Sequence, residues 1–211
     1  MKIERIIEGQ PLTFYLAEEQ RLAKQVNEPL FFTWVVPPTV IYGQHQIAEQ
    51  ELNEVYCREH QIAVVQRKSG GGCVYADEGN VMVSFIVPTE HVRQTFETYI
   101  NLLADALKEL GYPAVTTEHN DILVNGHKVS GAACYSVGTN AIVHATMLYD
   151  VNLEALQHAI TPSAEKLNKH AVQSVRQRVK NLKEIRNLGT TQAFRDKLEK
   201  QLDYGNISSR G

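Results

Sequence analysis

The chain has 211 residues, 43% of them hydrophobic and 21% charged, with a formal net charge of −3 at pH 7. That length supports one large domain with a substantial core, or at a stretch two small ones, and the charge balance lacks the basic excess of a nucleic-acid binder. No apolar run approaches a membrane span, the start Met1-Lys2-Ile3-Glu4 lacks a signal-peptide pattern, and Cys57, Cys73 and Cys134 show no metal-ligand spacing, so a cytoplasmic protein with reduced thiols and no membrane partner is expected.

In chain order, residues 13–26 predict a helix, with Pro11 ahead of it and acidic residues before basic ones. Residues 30–36 and 39–42 read as strands separated by Pro37-Pro38, which breaks the pairing. A helix is expected over 49–60, then strands over 62–66 and 81–87. The clearest helix covers 90–110. There Val92, Phe96, Tyr99, Ile100, Leu103, Leu107 and Leu110 recur at helical spacing, and Gly111 stands where a C-cap belongs. Short strands follow at 114–117, 121–124, 128–135 and 141–149, with Asn125-Gly126 a strong hairpin turn between the second and third. From about 153 to 202 the pattern is helical and polar. Strands and helices mixed with hairpins predict an α+β domain without internal repeats or linkers.

Two segments carry candidate chemistry. The first, Arg67 to Tyr75, reads R-K-S-G-G-G-C-V-Y between strand-like runs. Three consecutive glycines cost backbone entropy. A glycine-rich hairpin or bulge would account for them. So would close approach to a phosphate or carboxylate, with backbone N–H groups wrapping the anion and Arg67 and Ser69 adding a charge and a donor. The second, Asn120 to Ala132, reads N-D-I-L-V-N-G-H-K-V-S-G-A. Its hairpin sets Asp121 and Lys128 on adjacent strands, roughly opposite one another. They form either a plain cross-strand ion pair or a lysine oriented toward an anionic ligand that lies over the small residues Ser130, Gly131 and Ala132.

These segments, with I-Y-G-Q-H-Q at 41–46, H-A-T-M-L-Y-D-V-N-L at 144–153 and S-V-R-Q-R-V-K-N-L at 174–182, resemble the signature blocks of the lipoate–protein ligase A family. The blocks follow the family's order over about residues 1–185. The resemblance implies an α+β catalytic domain of the biotin/lipoate ligase superfamily. Its mixed, largely antiparallel sheet is flanked by helices and related to the class II aminoacyl-tRNA synthetase core; beyond the matched blocks, the polar helical pattern makes 186–211 a C-terminal helical tail. It implies an enzyme that uses ATP and Mg²⁺ to convert lipoate or octanoate to an acyl-AMP. The acyl group then passes to a lysine of a lipoyl domain, on the E2 subunit of a 2-oxoacid dehydrogenase or on the glycine cleavage H protein. By the same resemblance Lys128 bridges the carboxylate and the α-phosphate without being the nucleophile, and Asp121 helps position it. Arg67, Ser69, Gly70, Gly71, Gly72, Val74, Tyr75, Gly43, His45, Ser130, Gly131, Ala132, His144 and Thr146 would contact the acyl substrate. Asn120, Asp121, Lys128, Asp77 and Asn80 would hold the nucleotide, with Asp121 toward Mg²⁺.

Several positions depart from the family pattern. Gln66-Arg67 stands for two arginines, Tyr75-Ala76-Asp77 for Y-H-D, His119-Asn120-Asp121 for R-N-D, His144-Ala145-Thr146 for H-G-T, and Gly43-Gln44-His45-Gln46-Ile47 for G-R-x-Q-N. Positive charge is lost around an anionic intermediate, while Arg67, the glycines, Asp121 and Lys128 are kept. The length leaves no room for the C-terminal accessory domain of many family members. That implies a separate accessory protein, a chain competent only for transfer from preformed lipoyl-AMP, or a truncated chain. Competing readings are an ATP-independent lipoyl or octanoyl transferase using a Cys134 or Cys73 thioester, a non-catalytic binder of lipoate or lipoyl-AMP, and a biotin ligase. Both cysteines read more simply as small core residues, and Trp34 in its apolar strand reads as a core residue. Residues 166–186 hold seven basic side chains against one acidic, Glu184, either a solvated helix face or a docking surface for acidic lipoyl domains.

Overall fold

The computed structural model describes residues 1–160 and 179–208, with side chains to residue 203. The elements in order are β1 (Lys2–Ile3), α1 (Leu12–Ala23), β2 (Leu30–Trp34), β3 (Thr39–Tyr42), α2 (Ala48–Glu51), α3 (Glu54–Glu59), β4 (Ala63–Gln66), β5 (Val74–Ala76) and β6 (Asn80–Pro88). They continue as α4 (Val92–Glu109), β7 (Ala114–Thr116), β8 (Asp121–Val124), β9 (His127–Val137), β10 (Asn140–Leu148), α5 (Leu153–Ala159), α6 (Leu182–Ile185) and α7 (Thr191–Ser208). Seven strands form the main sheet in the order β1-β2-β6-β10-β9-β8-β7, and three form a smaller sheet, β4-β3-β5. Among the named strand pairs of the described residues, β1–β2 and β3–β4 are parallel and the others antiparallel. This is the mixed, largely antiparallel α+β architecture expected.

Alternation along β6 and β10 divides the core. Val81, Val83 and Phe85 of β6, with Val143 and Met147 of β10, belong to a cluster with Ile100, Leu103 and Leu107 of α4 and Phe194, Leu198 and Leu202 of α7. Met82, Ile86 and Ile142 belong to the opposite cluster with Leu12, Tyr15 and Leu22 of α1. The segment read as a helical tail thus places three fully buried side chains in the main core.

Local chemistry explains the boundaries. Helix α4 ends in a Schellman motif: Gly111, at φ +86°, donates to the Lys108 carbonyl, and the Tyr112 N–H reaches the Leu107 carbonyl. The helix expected over 49–60 is two short helices. The chain extends at Leu52 and Asn53, and the Asn53 side chain accepts the Tyr56 N–H to start the second. Residues 161–178 lie outside the described residues, and with them most of the basic stretch and the 174–178 part of the last signature block. Among the described residues, no helix is long and apolar enough to cross a membrane.

Candidate active site

The β8–β9 hairpin turns at Asn125 (φ 51°) and Gly126 (φ 79°), the two positive values that a type I′ turn needs. The register then shifts: Ile122 pairs with Ser130, but Leu123 pairs with Lys128. Val129 is the extra residue, a bulge that puts Lys128 on the face of Gly131, three positions on, instead of the opposite face. Asp121 lies across from Gly131. The Lys128 ammonium folds back over that glycine to meet the Asp121 Oδ1 at 2.7 Å, with both side chains about a third exposed or less. A Cβ on Gly131 would stand 3.2 Å from the lysine Cε and Nζ. The missing side chain makes room for the ion pair. The Thr146 hydroxyl accepts the Gly131 N–H at 3.2 Å, and Lys180 donates its N–H to the Lys128 carbonyl at 3.1 Å.

The triple glycine is not a hairpin. It links β4 to β5, and β3 lies between those two strands. The loop therefore crosses the end of β3, where Gly43 sits with its missing Cβ position 2.3 Å from the Gly71 carbonyl oxygen. Arg67, buried at 7% exposure, holds the loop down. Its Nη2 donates to the carbonyls of Gly70 and Gly72, both at 2.7 Å, its Nη1 to the Ile41 carbonyl, and its Nε to the Ser69 hydroxyl at 2.9 Å. At least four of its five N–H donors are thus committed to the protein, so Arg67 is first a loop clamp. Gly43→Ala is expected to displace the loop, costing about 1–3 kcal/mol of stability by overpacking and weakening acyl-substrate binding. Thermal unfolding and ligand titration check this; a variant unchanged in both would contradict the crossing.

Behind the loop runs a buried polar chain. The Ser69 hydroxyl lies 2.7 Å from His144 Nε2, and His144 Nδ1 lies 3.2 Å from the Glu19 Oε1. The Ser84 hydroxyl donates to the Glu19 Oε1 at 2.6 Å and accepts the Trp34 indole N–H at 2.8 Å. Ser84 and His144 are direct partners across β6 and β10, and Glu19 reaches them from α1. Glu19 and Ser84 are both fully buried. Neither was expected from sequence, although Glu19 falls on the stripe Leu12, Tyr15, Leu22, Ala23 that α1 buries.

These elements enclose a cavity of about 280 Å³. Leu12, Leu16, Trp34, Ile41 and Met82 give it an apolar wall, and Lys128, Asp121, His119 and Thr146 a polar one. Of the expected site residues, Arg67, Gly71, Gly72, Val74, Gly131, Ala132 and His144 also line it, while Ser69, Gly70 and Gly43 support the loop. The others lie elsewhere. His45 is exposed, Tyr75 is packed with Val40 and Leu148, and Ser130 is fully buried, its hydroxyl unpartnered among the described residues. Asn120 takes a left-handed φ of 60° in the turn before β8. Asp77 spends its carboxylate on the N–H groups of Gly79 and Asn152. Asn80 is fully buried, with both amide atoms unpartnered among the described residues.

Cys73 lines the cavity, but burial, helped by the charge of Glu51, pushes its thiol up to about 12. Burial raises Cys134 to about 11, and it packs against the main core. At neutral pH both hold their proton, whereas the nucleophile in thioester chemistry is the thiolate.

A family model described as the lipoyl protein ligase A/B catalytic domain matches residues 11–203. The chain belongs to that family. Among curated relatives of this family member, lipoate–protein ligase 1 of Staphylococcus aureus is 34% identical over 83% of this chain and 54% of its own length. The lipoate–protein ligase LplJ of Bacillus subtilis is 32% identical over 91% of this chain and 60% of its own. The chain thus spans little more than half the length of these relatives. Solved structures show the same fold. One is from an archaeal lipoylation system of Thermoplasma acidophilum, described as a bi-partite lipoate protein ligase and its E2 lipoyl domain (TM-score 0.84, 24% identity, 97% of this chain and 81% of that one). Another is a lipoate–protein ligase A bound with ATP (TM-score 0.81, 23% identity, 95% and 81%).

Proposed function

We propose that this chain attaches lipoate, or octanoate, to a lysine of a lipoyl domain through an acyl-AMP intermediate. The observation that carries the reading is one cavity with an apolar wall and the partly exposed Lys128–Asp121 pair at its polar side. An amphiphile with an apolar chain and an anionic head fits that division. The curated relatives named lipoate–protein ligases, and the neighbour described as bound with ATP, support the same substrates.

In the first step a carboxylate oxygen of the acyl substrate attacks the α-phosphorus of ATP and pyrophosphate leaves. Two anions must come together, so the contribution needed is a cation held between them. Lys128 supplies it, tethered by Asp121. In the second step the neutral amine of the acceptor lysine attacks the acyl carbonyl to form the amide C–N bond; AMP departs with the electrons of the broken C–O bond, and the amine's displaced proton passes to solvent. Asn80 is the better nucleotide candidate of the pair expected on β6 and the preceding turn. Its unpartnered amide offers a donor and an acceptor two residues along β6 from Met82, which lines the cavity. Asp77 shapes the turn before it by accepting the Asn80 N–H on its own carbonyl. Mg²⁺ fits the donor set, because one carboxylate together with substrate phosphates is its ordinary ligation and Asp121 is the carboxylate on the cavity wall. When bound, it would neutralise phosphate charge. The free thiols agree with a reducing, cytoplasmic setting. The neighbour described as a bi-partite lipoate protein ligase supports a second component, whether in a separate accessory protein or in the same polypeptide.

The test is to incubate the chain with lipoate, Mg-ATP and an apo lipoyl domain from an E2 subunit or H protein. Pyrophosphate release and acyl mass gain are expected with lipoate or octanoate and absent with biotin, and Cys73→Ser/Cys134→Ser is expected to keep the rate within a few fold. Transfer from octanoyl-acyl carrier protein without ATP, abolished in that double variant, would replace the ligase with a thioester transferase. Tight lipoate binding without either step would leave a binding protein.

A further inference from the structure

We propose that Glu19 is a positioning residue: it fixes His144 as the neutral Nδ1–H tautomer and thereby sets the direction of the hydrogen-bond chain that clamps the glycine loop. Its consequence for substrate binding rests on the ligase reading of the cavity; its structural part does not.

The direction follows from what each group can do. A carboxylate only accepts. The Ser84 hydroxyl takes the Trp34 indole N–H on its oxygen, so its proton goes to the Glu19 Oε1 at 2.6 Å. The other side of Glu19 faces His144 Nδ1, at 3.2 Å from Oε1 and 3.3 Å from Oε2. Nδ1 must therefore carry a proton, and in the neutral ring Nε2 is left as the acceptor. Nε2 lies 2.7 Å from the Ser69 hydroxyl, which gives its proton to the histidine and accepts the Arg67 Nε–H at 2.9 Å on its oxygen. Every link from Trp34 to Arg67 then has one donor and one acceptor. With the proton on Nε2, the Ser69 oxygen could accept both N–H groups, but its own proton would lose this acceptor, while Nδ1 would turn a lone pair toward a carboxylate. Within a buried chain each such mismatch is costly.

What the chain holds is the loop. Arg67 is the only link that touches the glycine carbonyls, and Ser69 fixes one edge of its guanidinium. A residue on α1, which lends Leu12 and Leu16 to the apolar wall, thus governs the strap that crosses the end of β3. The requirement at Glu19 is an acceptor at the Oε1 position.

Nitrogen-15 NMR of the imidazoles, with His144 assigned from His144→Gln, tests the tautomer in the wild-type chain. A protonated Nδ1 and an unprotonated Nε2 are expected; an Nε2–H ring or an imidazolium at neutral pH overturns the proposal without any variant. Glu19→Met keeps the bulk and removes the acceptor. It is expected to take His144 out of the Nδ1–H form, to speed hydrogen exchange across residues 69–73 by roughly tenfold, and to raise KM for lipoate more than it lowers kcat. A retained Nδ1–H form, or a changed tautomer with unchanged loop exchange, overturns it. Glu19→Gln places a carbonyl oxygen at the same position and should preserve tautomer and loop protection together. Loss of loop protection with the tautomer intact would assign the effect to charge and also overturn it, even if Glu19→Met does not fold. A chain with the expected tautomer and loop exchange that never activates lipoate would refute the ligase reading alone.

Discussion

Lys128→Met is expected to slow lipoate-dependent pyrophosphate release by roughly 10²–10³-fold while leaving the fold intact, the range observed when one preorganised electrostatic donor is removed from a transition state. Methionine keeps the stem that lies over Gly131 and removes only the ammonium 2.7 Å from Asp121. Without that charge the acyl carboxylate and the α-phosphate face each other across a wall whose carboxylate, Asp121, now repels both. Stability should change little, because the pair is partly solvated and exposed ion pairs contribute less than about 1 kcal/mol. Lys128→Arg is expected to recover only part of the rate, since a planar guanidinium cannot occupy the tight space above Gly131 as a point charge does. Single-turnover adenylation separates the outcomes. Should Lys128→Met stay within about threefold of wild type, the pair would be the plain cross-strand salt bridge that its spacing also allows.

The same hairpin marks how far the sequence could be read. Asn125-Gly126 announced its turn, because few residue pairs accept two positive φ values. The bulge at Val129 had no such signal: one extra residue in a strand leaves local composition unchanged, yet it decides that Lys128 shares a face with Gly131. The glycine run was legible as an unusual segment, and the block order pointed to its family. Its crossing over β3 was not, since the pairing of β3 between β4 and β5 is a tertiary choice, and the need for glycine at position 43 exists only once Gly71 lies above it. Arg67 was expected to meet the ligand, and its commitment to the loop carbonyls follows from the same crossing. Glu19 stood on the buried stripe of α1, but its partners Ser84 and His144 lie 65 and 125 residues away, so nothing local to the helix announces what it bonds.

Helix α7 is the other element whose polar sequence concealed a buried face, and it leads to the largest expected loss of stability. Arg195 donates Nε to the Thr33 hydroxyl at 2.6 Å, Nη2 to the Thr33 carbonyl at 2.7 Å and Nη1 to Glu8 at 2.7 Å, and its Nε lies 3.3 Å from Glu199. Arg195 and Glu199 are both nearly buried, and the Thr33 hydroxyl also bonds Glu199. Arg195→Met is expected to cost about 3 kcal/mol, toward the low end for breaking a buried pair because Arg5 remains beside Glu199 at 2.8 Å. Urea unfolding measures it. Arg195→Met/Glu199→Leu should recover part of the loss, since removing both charges leaves none stranded. A single variant costing under about 1 kcal/mol, or a double variant no better than the single, would show that the cluster is solvated rather than buried. The consequence reaches the site. Phe194, Leu198 and Leu202 pack with Val143 and Met147 of β10, and the alternate residues of that strand, His144 and Thr146, face the cavity. Loosening α7 therefore removes the support behind the strand that aims His144 at Ser69 and Thr146 at Gly131. Loss of lipoate affinity should accompany the loss of stability even though no substituted atom touches the cavity.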